Sequence, residues 1–404
     1  MKDPLDDSPP VETKKAVTGI AIGLVGLALL VLARPSAWVT ISIIVGLILT
    51  IMLHEAGHMI MAKRSGMKVT EFFVGFGPRL WSFRNGETEY GVKAIPAGGY
   101  VRIIGMSNVE EIDPEDEPRA YRNASTSKKL KTILAGITVN LLIAYILFFI
   151  VIVGNGEFKP GTAVDQVQRK SPAAAAGLKR GDKIVAINGV RIKSWDDLGT
   201  NVRPNAGKEI DVTVRRHGQL VAVTAKPENV GGEGKLGVYP NSIRQTYSVF
   251  EAVPQSFNWM WRATTATVGG LAKVFSPSGV EKYGKTVTAP GSKGSFSNEQ
   301  RPRSIVGIVA DGGSIVGGSV WVLLVLLATI NLFLALFNLI PLLPFDGGHA
   351  AVAIYEYFAS KVTGRHVQVD YKRLMPITAA VLVVVLALGL STMYLDVRQI
   401  FTGT

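Results

Sequence analysis

Five apolar runs without any charged side chain constrain this chain more than any other feature. They raise hydrophobic residues to 48% and leave charged residues at 18% of the 404-residue sequence. A helix needs about 20 apolar residues to cross a bilayer, and each run reaches or approaches that length. The sequence therefore excludes a soluble enzyme and a disordered tail, and it predicts an α-helical polytopic membrane protein with about five spans. The predicted spans are residues 16–34, 36–62, 132–154, 317–349 and 374–395.

The first run, residues 16–33, has two interpretations. It follows Lys14 and Lys15, as the apolar part of a signal peptide would. However, it holds about 18 apolar residues and has no small-x-small cleavage motif, which favours a retained extra span after a cytoplasmic tail at residues 1–15.

Basic residues in the short loops predict the orientation, because cytoplasmic loops carry an excess of Lys and Arg. Lys63 and Arg64 follow the second span, Lys128 and Lys131 precede the third, and Lys361 follows the fourth. We therefore expect a multi-pass protein of the cell membrane with its N-terminus in the cytoplasm. The long segment after the third span is then extracytoplasmic.

The charge distribution and the absence of cysteine limit which macromolecules and which metal ligands are plausible for this chain. Between residues 155 and 316 there are 22 basic and 13 acidic residues, which supply +9 of the net charge of +12. These cations are dispersed among Gly and Ser without interleaved aromatics, so they fit a face near anionic lipid better than a nucleic-acid groove. The chain has no cysteine, so a bound metal would need His, Asp or Glu.

An HExxH sequence at residues 54–58 closes the second span. His54 and His58 are separated by four residues and share one helix face, so both imidazoles can reach one zinc ion. Glu55 is placed to take a proton from a water at the metal and act as general base. Ionisable groups at membrane depth are costly, which favours a functional role over a chance match.

Asp346, at the end of the fourth span, is the expected third ligand. Spans two and four run in the same direction, so their later ends reach the same depth. A helix-capping role for Asp346 is the alternative. His349 would close the site as a fourth protein ligand, so it is expected to support the site or cap a helix instead.

The fourth span is too long for one straight crossing, since residues 317–345 would cover about 43 Å as a helix. Pro341 and Pro344, followed by Gly347-Gly348, should unwind it, which is tolerated where the backbone lines a wet cavity. Asn338 would contact the substrate backbone or a developing oxyanion, or else make an amide contact between helices.

The two motifs together, HEAGH at 54–58 and NLIPLLPFDGGH at 338–349, resemble the site-2 protease family of intramembrane zinc metalloproteases. The resemblance is to the bacterial branch of regulator of sigma-E protease type, and it covers the chain from about Ile41. Further landmarks are FVGFGP at 73–78, IPAGGYV at 95–101, and Gly136 with Asn140 at GxxxN spacing.

The resemblance implies that His54, His58 and Asp346 bind zinc and that Glu55 is the catalytic base. It also implies that the substrate is a single-span membrane protein, often an anti-sigma factor, trimmed first by another protease. The candidate substrate contacts are Asn338, Asn140, Gly98 and Gly99. The chain departs from the family in its extra first span, in a single PDZ-like module, and in Phe345 where Leu is usual.

Two β-rich regions are expected. Within residues 63–131, a cytoplasmic-side hairpin should turn at Asn85-Gly86, leaving an edge for an unwound substrate or serving as surface structure only. Residues 156–228 resemble a bacterial PDZ domain through the run from Ser171 to Gly189. This module would capture peptide by strand addition, gate the enzyme sterically, or act as an inert spacer.

Residues 229–316 are predicted to be an extracytoplasmic linker. An apolar stretch from Tyr247 to Phe275 would form an amphipathic helix on the outer leaflet or pack against the PDZ-like module. Ser276 to Arg303 is rich in Gly, Ser, Pro and Lys and is expected to be a flexible loop.

The function that these features predict is zinc-dependent hydrolysis of a peptide bond within the membrane. Two other classes remain open. A catalytically silent membrane scaffold would present the PDZ-like module and bind no zinc. A transporter would use the broken fourth span as its substrate site and should show paired repeats.

Overall fold

The computed structural model describes residues 37–106, 110–292, 294–297, 301–304, 307–308 and 316–402. The predicted span at residues 16–34 lies outside them. The helices are α1 Ala37–Arg64, α2 Thr126–Asn155, α3 Pro172–Ala175, α4 Trp195–Val202, α5 Val249–Val274, α6 Pro277–Thr288, α7 Val320–Asn338, α8 Asp346–Thr363 and α9 Tyr371–Thr402. The strands are β1 Val69–Asn85, β2 Thr88–Ile103, β3 Glu157–Val167, β4 Lys183–Ile187, β5 Val190–Arg191, β6 Ile210–Arg216, β7 Gln219–Ala225, β8 Glu228–Val230, β9 Glu233–Lys235 and β10 Val238–Gln245.

Four helices among the described residues, α1, α2, α7 and α9, are long and apolar enough to cross a membrane. Three of them coincide with spans expected at 36–62, 132–154 and 374–395. The span expected at 317–349 is divided: α7 ends at Asn338, a loop follows, and α8 begins at Asp346. The interruption was predicted, but the helix resumes at Asp346, so the glycine pair lies in a helical turn and does not prolong the unwound stretch.

Helix α1 packs closely against both α2 and α7. A methyl group added at Gly46 would lie 2.7 Å from Leu327 of α7, and one added at Gly57 would lie 2.9 Å from the carbonyl oxygen of Ala135 in α2. The amide of Asn331 also donates to Thr50 Oγ1 over 3.0 Å. Small residues and buried polar bridges are what hold helices together in lipid, where apolar burial alone gives little advantage.

Strands β1 and β2 form one sheet in which each long strand turns back on itself. Phe72 pairs with both Tyr90 and Val101, so the first half of β1 lies between the two halves of β2. Gly75 and Gly77 adopt φ of 88° and 82°, which residues with a Cβ rarely adopt. The last part of β2 is therefore an edge of this sheet, and it contacts α1.

The hairpin turn differs by one residue from the prediction. Asn85 is paired with Thr88, so Gly86 and Glu87 form the two-residue turn. The strands also extend far from this turn, because the FVGFGP and IPAGGYV segments are themselves part of the sheet.

Residues Ile152–Ala252 form a separate compact unit. Its sheet has the order β10-β3-β4-β6-β7, with β5 paired to β4. Ile184, Ile187, Ile210 and Val212 are buried at its centre. Ser194 and Asp197 cap the start of α4 reciprocally. Strand β10 belongs to this sheet although it lies in the segment predicted to be linker.

The segment after this unit is helical. Helix α5 occupies the predicted amphipathic stretch, and the ring of Trp259 contacts Phe148 of α2 edge to face. The prediction of a flexible loop from Ser276 to Arg303 is wrong over its first half, where α6 forms. Ser276 caps that helix by accepting from the Gly279 N–H, and Pro277 occupies its first position. These local signals outweigh the Gly, Ser and Lys content.

Candidate metal centre

Helix α1 brings the two histidines of the HExxH sequence together. His54 and His58 are 7% and 5% exposed, and their Nε2 atoms lie 3.1 Å apart. The four-residue spacing puts both rings on one side of the helix, facing α2 and α8. Both imidazoles therefore present the same nitrogen to one point.

Helix α2 orients the second imidazole. His58 Nδ1 donates to the carbonyl oxygen of Thr132 over 2.8 Å, so its proton is on Nδ1 and Nε2 is left as a lone-pair donor. Gly136, one turn further along α2, leaves room for the ring, since a Cβ there would lie 2.3 Å from Nε2. The glycine of the GxxxN sequence is thus required by the position of His58.

Asp346 completes the cluster from the start of α8. Its Oδ2 lies 3.1 Å from His54 Nε2 and 3.3 Å from His58 Nε2. The helix-capping alternative is not what the geometry shows, because Phe345 occupies the cap position and Asp346 is already helical.

The glycine pair that follows lets α8 lie directly against the preceding loop. A Cβ at Gly347 would be 2.4 Å from the Leu339 carbonyl oxygen, and one at Gly348 would be 2.4 Å from the Leu343 nitrogen. Any larger residue at either position would push α8 away and take Asp346 with it.

These three side chains fit a zinc ion. Their ligand atoms all lie within 4.8 Å of one another, which makes them the candidate metal cluster among the described residues. Asp346 Oδ2 is buried and has no hydrogen-bond partner there. Its close approach to two imidazole nitrogens is therefore what a shared cation explains. Two nitrogens and one oxygen are a usual catalytic zinc set, which keeps one position open.

Glu55 follows the first histidine and faces the edge of the β1–β2 sheet. Its carboxylate accepts a hydrogen bond from the backbone N–H of Val101. A Cβ at Gly99 would lie 3.6 Å from Glu55 Cγ and 3.5 Å from Ile51. The sheet edge from Gly98 to Val101 thus runs beside the carboxylate, with no side chain at Gly99 between them.

The other residues that the sequence singled out, Asn140, Asn338 and His349, are outside the three-residue cluster. Asn140 is 1% exposed, one turn after Gly136, and its Oδ1 has no partner among the described residues. Asn338 is half-buried at the last position of α7. His349 Nδ1 lies 3.4 Å from the Tyr371 hydroxyl, and this histidine is outside the candidate metal cluster.

Asn331 is a structural contributor that the sequence analysis did not name. Its amide bridges α7 to Thr50, one turn before His54, and its side chain is 1% exposed. The sequence could have indicated this role, because Asn331 is an amide in the middle of a charge-free run, where an unpaired polar group is costly.

Comparison with known proteins identifies the family. Residues 42–386 match Peptidase family M50. Zinc metalloprotease Rip1 of Mycobacterium tuberculosis is 36% identical over 390 residues, covering 87% of this chain and 95% of that protein. Rip1 of Mycolicibacterium smegmatis is 34% identical over 393 residues, with the same two coverages. Zinc metalloprotease RasP of Geobacillus kaustophilus is 25% identical over 394 residues, covering 78% and 88%.

The resemblance inferred from the two sequence motifs is therefore confirmed, and so is zinc as the cofactor. Because the family match extends over most of the chain and the relatives align along nearly their whole length, this chain belongs to peptidase family M50, the site-2 type of intramembrane zinc metalloprotease.

Proposed function

We propose that this enzyme performs regulated intramembrane proteolysis, cutting single-span membrane proteins such as anti-sigma factors. The observation that carries the proposal is the position of the cluster, with both histidines buried in a helix that is apolar enough to span the bilayer. A site at that depth suits a peptide bond that lies within the membrane.

The residues have separate roles in hydrolysis. His54, His58 and Asp346 would hold the zinc ion, which would supply a Lewis acid for the scissile carbonyl and for the attacking water. Glu55 accepts the proton of the attacking water and delivers it to the leaving amine, while the Val101 N–H keeps its carboxylate in place.

A substrate helix must unwind before it is cut, because helical hydrogen bonds shield its peptide bonds. The edge of β2 at Gly98 and Gly99 offers replacement hydrogen bonds to an extended segment beside Glu55. Unsatisfied backbone groups in hydrocarbon cost several kcal/mol each, so this replacement matters. Asn140 and Asn338 are the other proposed substrate contacts, and the buried, unpartnered Oδ1 of Asn140 supports the first.

The unit from Ile152 to Ala252 is proposed to be an extracytoplasmic PDZ-like module that gates substrates by size. Its two chain ends lie side by side, since Glu157 pairs with Gln245 and Arg244 donates to the Asn155 carbonyl over 2.7 Å. One residue separates its first strand from α2. A short tether of this kind suits a gate that excludes bulky domains.

The experiment compares two versions of one single-span substrate in vesicles, one full-length and one with its outer tail already trimmed. We expect the intact enzyme to cut the trimmed substrate at least tenfold faster. A variant without residues 157–245, joined by a short Gly-Ser linker, should lose most of that preference.

Glu55→Gln is the control for cleavage by this site and should cut neither substrate. Equal cleavage of both substrates by the intact enzyme would refute the gate and leave peptide capture or a spacer role. No cleavage of either substrate by the zinc-loaded enzyme would refute intramembrane proteolysis itself.

A further inference from the structure

A large apolar cavity lies between α7 and α9 and is closed on one side by α5 and α6. Its volume is about 1100 Å³. Phe333 and Phe337 of α7 face Val384 and Leu388 of α9 across it. No residue in the most apolar stretch of α9 is buried within the protein. Over this stretch the two helices do not pack against each other, so something other than the described chain must fill the space.

The cavity has the length of an extended apolar chain and two different ends. Its lining on α9 runs from Ala380 to Thr392, about 18 Å along the helix. That is more than half of the roughly 30 Å of a bilayer core. One end is apolar and stops at Phe345, the residue before Asp346. The other end is where α6 meets α9 through the hydrogen bond between Tyr283 and Ser391.

The end near α6 is strongly basic. Four cationic side chains and no carboxylate are among the described residues that line the cavity, and the cations are Lys273, Lys282, Arg301 and Arg303. Arg301 is neutralised by Asp396 at 2.6 Å. Lys273 and Lys282 are exposed and have no acidic partner within the described part of the chain. Their charge is therefore available to a ligand.

We propose that this cavity is a binding site for an anionic phospholipid. The phosphate lies at Lys273 and Lys282, and an acyl chain extends between α7 and α9 toward Phe345. The cavity matches an amphiphile in its volume, its length and its separate polar and apolar ends. A transmembrane helix fits less well, since it would need the full bilayer thickness and leave the lysines unpaired. The proposal does not depend on which substrate the protease cuts.

Native mass spectrometry of the purified full-length protein tests this, with phosphatidylglycerol and phosphatidylcholine of identical acyl chains as probes. We expect phosphatidylglycerol to bind roughly 10- to 30-fold more tightly, the factor that two lysines near an anionic headgroup provide. In Lys273→Ala/Lys282→Ala the two lipids should bind alike. Lys285→Ala is the matched control on α6, because Lys285 is already held by Glu281 at 2.6 Å and does not line the cavity.

A second pair of variants tests the apolar part. A Cβ at Gly389 meets no atom within 4 Å, so Gly389→Leu should fill the cavity without disturbing the fold and should weaken binding of both lipids at least fivefold. Ala387→Leu is the matched control, because Ala387 is exposed and does not line the cavity, and it should leave binding of both lipids unchanged.

Three results would overturn the site. One is equal affinity for the two lipids in the unaltered protein. Another is unchanged phosphatidylglycerol binding in both the lysine and the Gly389 variants. The third is crosslinking of a photoreactive residue at Val384 to a substrate transmembrane segment while added phosphatidylglycerol fails to compete.

Discussion

At the scale of single residues, the candidate metal centre depends on groups outside the three-residue cluster itself. The carbonyl of Thr132 determines which nitrogen of His58 is free, and Gly136 provides the space for that ring. The N–H of Val101 holds Glu55. Thr132 and Gly136 position His58, so their loss should weaken zinc binding. Val101 positions Glu55, so its loss should slow proteolysis more than it weakens zinc binding.

The first prediction separates ligands from the base. His54→Ala, His58→Ala and Asp346→Ala should each abolish proteolysis and tight zinc binding, because each removes one of three protein ligands. Glu55→Gln should abolish proteolysis but keep stoichiometric zinc, because only the proton acceptor is lost. Zinc content by elemental mass spectrometry decides the matter, and full zinc in Asp346→Ala would contradict its role as third ligand. Absence of zinc from the unaltered protein would instead indicate a silent scaffold.

The second prediction concerns Gly136. In Gly136→Ala the new methyl group would lie 2.3 Å from His58 Nε2, so the ring must turn and lose its bond to Thr132. Zinc affinity should fall by about 10- to 100-fold, as it does when outer-shell support for a ligand is lost. Competition with a chelator measures this. Gly389→Ala adds the same methyl group in open space on α9 and should leave the affinity unchanged.

At the scale of secondary-structure elements, glycines and ion pairs determine how closely segments approach. In the separate unit, Asp182 is 1% exposed and links β4 to β6 by accepting from Arg216 Nε and Nη2, each over 2.7 Å. The Arg216 guanidinium holds the pKa of the Asp182 carboxyl below its ordinary value. The stability that this pair contributes is therefore linked to pH.

The third prediction follows from the lowered pKa of Asp182. Because the folded-state pKa of Asp182 is lowered, the contribution is complete above its unfolded value near pH 4 and is lost as the pH falls through the folded value. Asp182→Asn should cost about 2 kcal/mol at neutral pH and remove this acid sensitivity. Hydrogen exchange of β4 and β6 in the full-length protein, corrected for intrinsic rates, measures both effects. An unchanged acid response in Asp182→Asn would assign the sensitivity to other carboxylates.

At the scale of the whole molecule, the metal cluster requires two distant parts of the sequence to reach the same depth. His58 and Asp346 are almost 290 residues apart, yet Nε2 and Oδ2 are 3.3 Å apart. The second and fourth predicted spans run in the same direction through the membrane, and this predicted that His58 and Asp346 would lie at the same depth. The side of the membrane that each loop faces remains the prediction of the basic residues.

The fourth prediction tests that orientation. The chain has no cysteine, so Arg64→Cys and Lys226→Cys each create one thiol at an exposed position. Lys68 is avoided because it pairs with Asp116. A membrane-impermeant thiol reagent should label the two positions from opposite sides of sealed vesicles, with Arg64→Cys cytoplasmic. Labelling of both from one side would contradict the predicted topology.

The sequence by itself determined the membrane class and the family, and it named the three residues that the structure brings together as the candidate metal cluster. The thickness of the bilayer imposes the length of an apolar run, and the HExxH spacing follows from helix periodicity. Both features can therefore be inferred from a short stretch of sequence without knowledge of the fold. The position of the hairpin turn was predicted wrongly by one residue. The turn is at Gly86-Glu87 because Asn85 pairs with Thr88, and that pairing depends on the register of the whole sheet.

Only the tertiary structure decided how those local features are arranged. The return of β1 and β2 on themselves, the bond from Val101 to Glu55, and the space left for His58 by Gly136 all depend on contacts between distant segments. The same holds for β10 joining its sheet and for the basic cavity beside α9. A sequence pattern reports which face of an element is apolar. It does not report which other element, or which lipid, that face meets, because many partners bury an apolar face equally well.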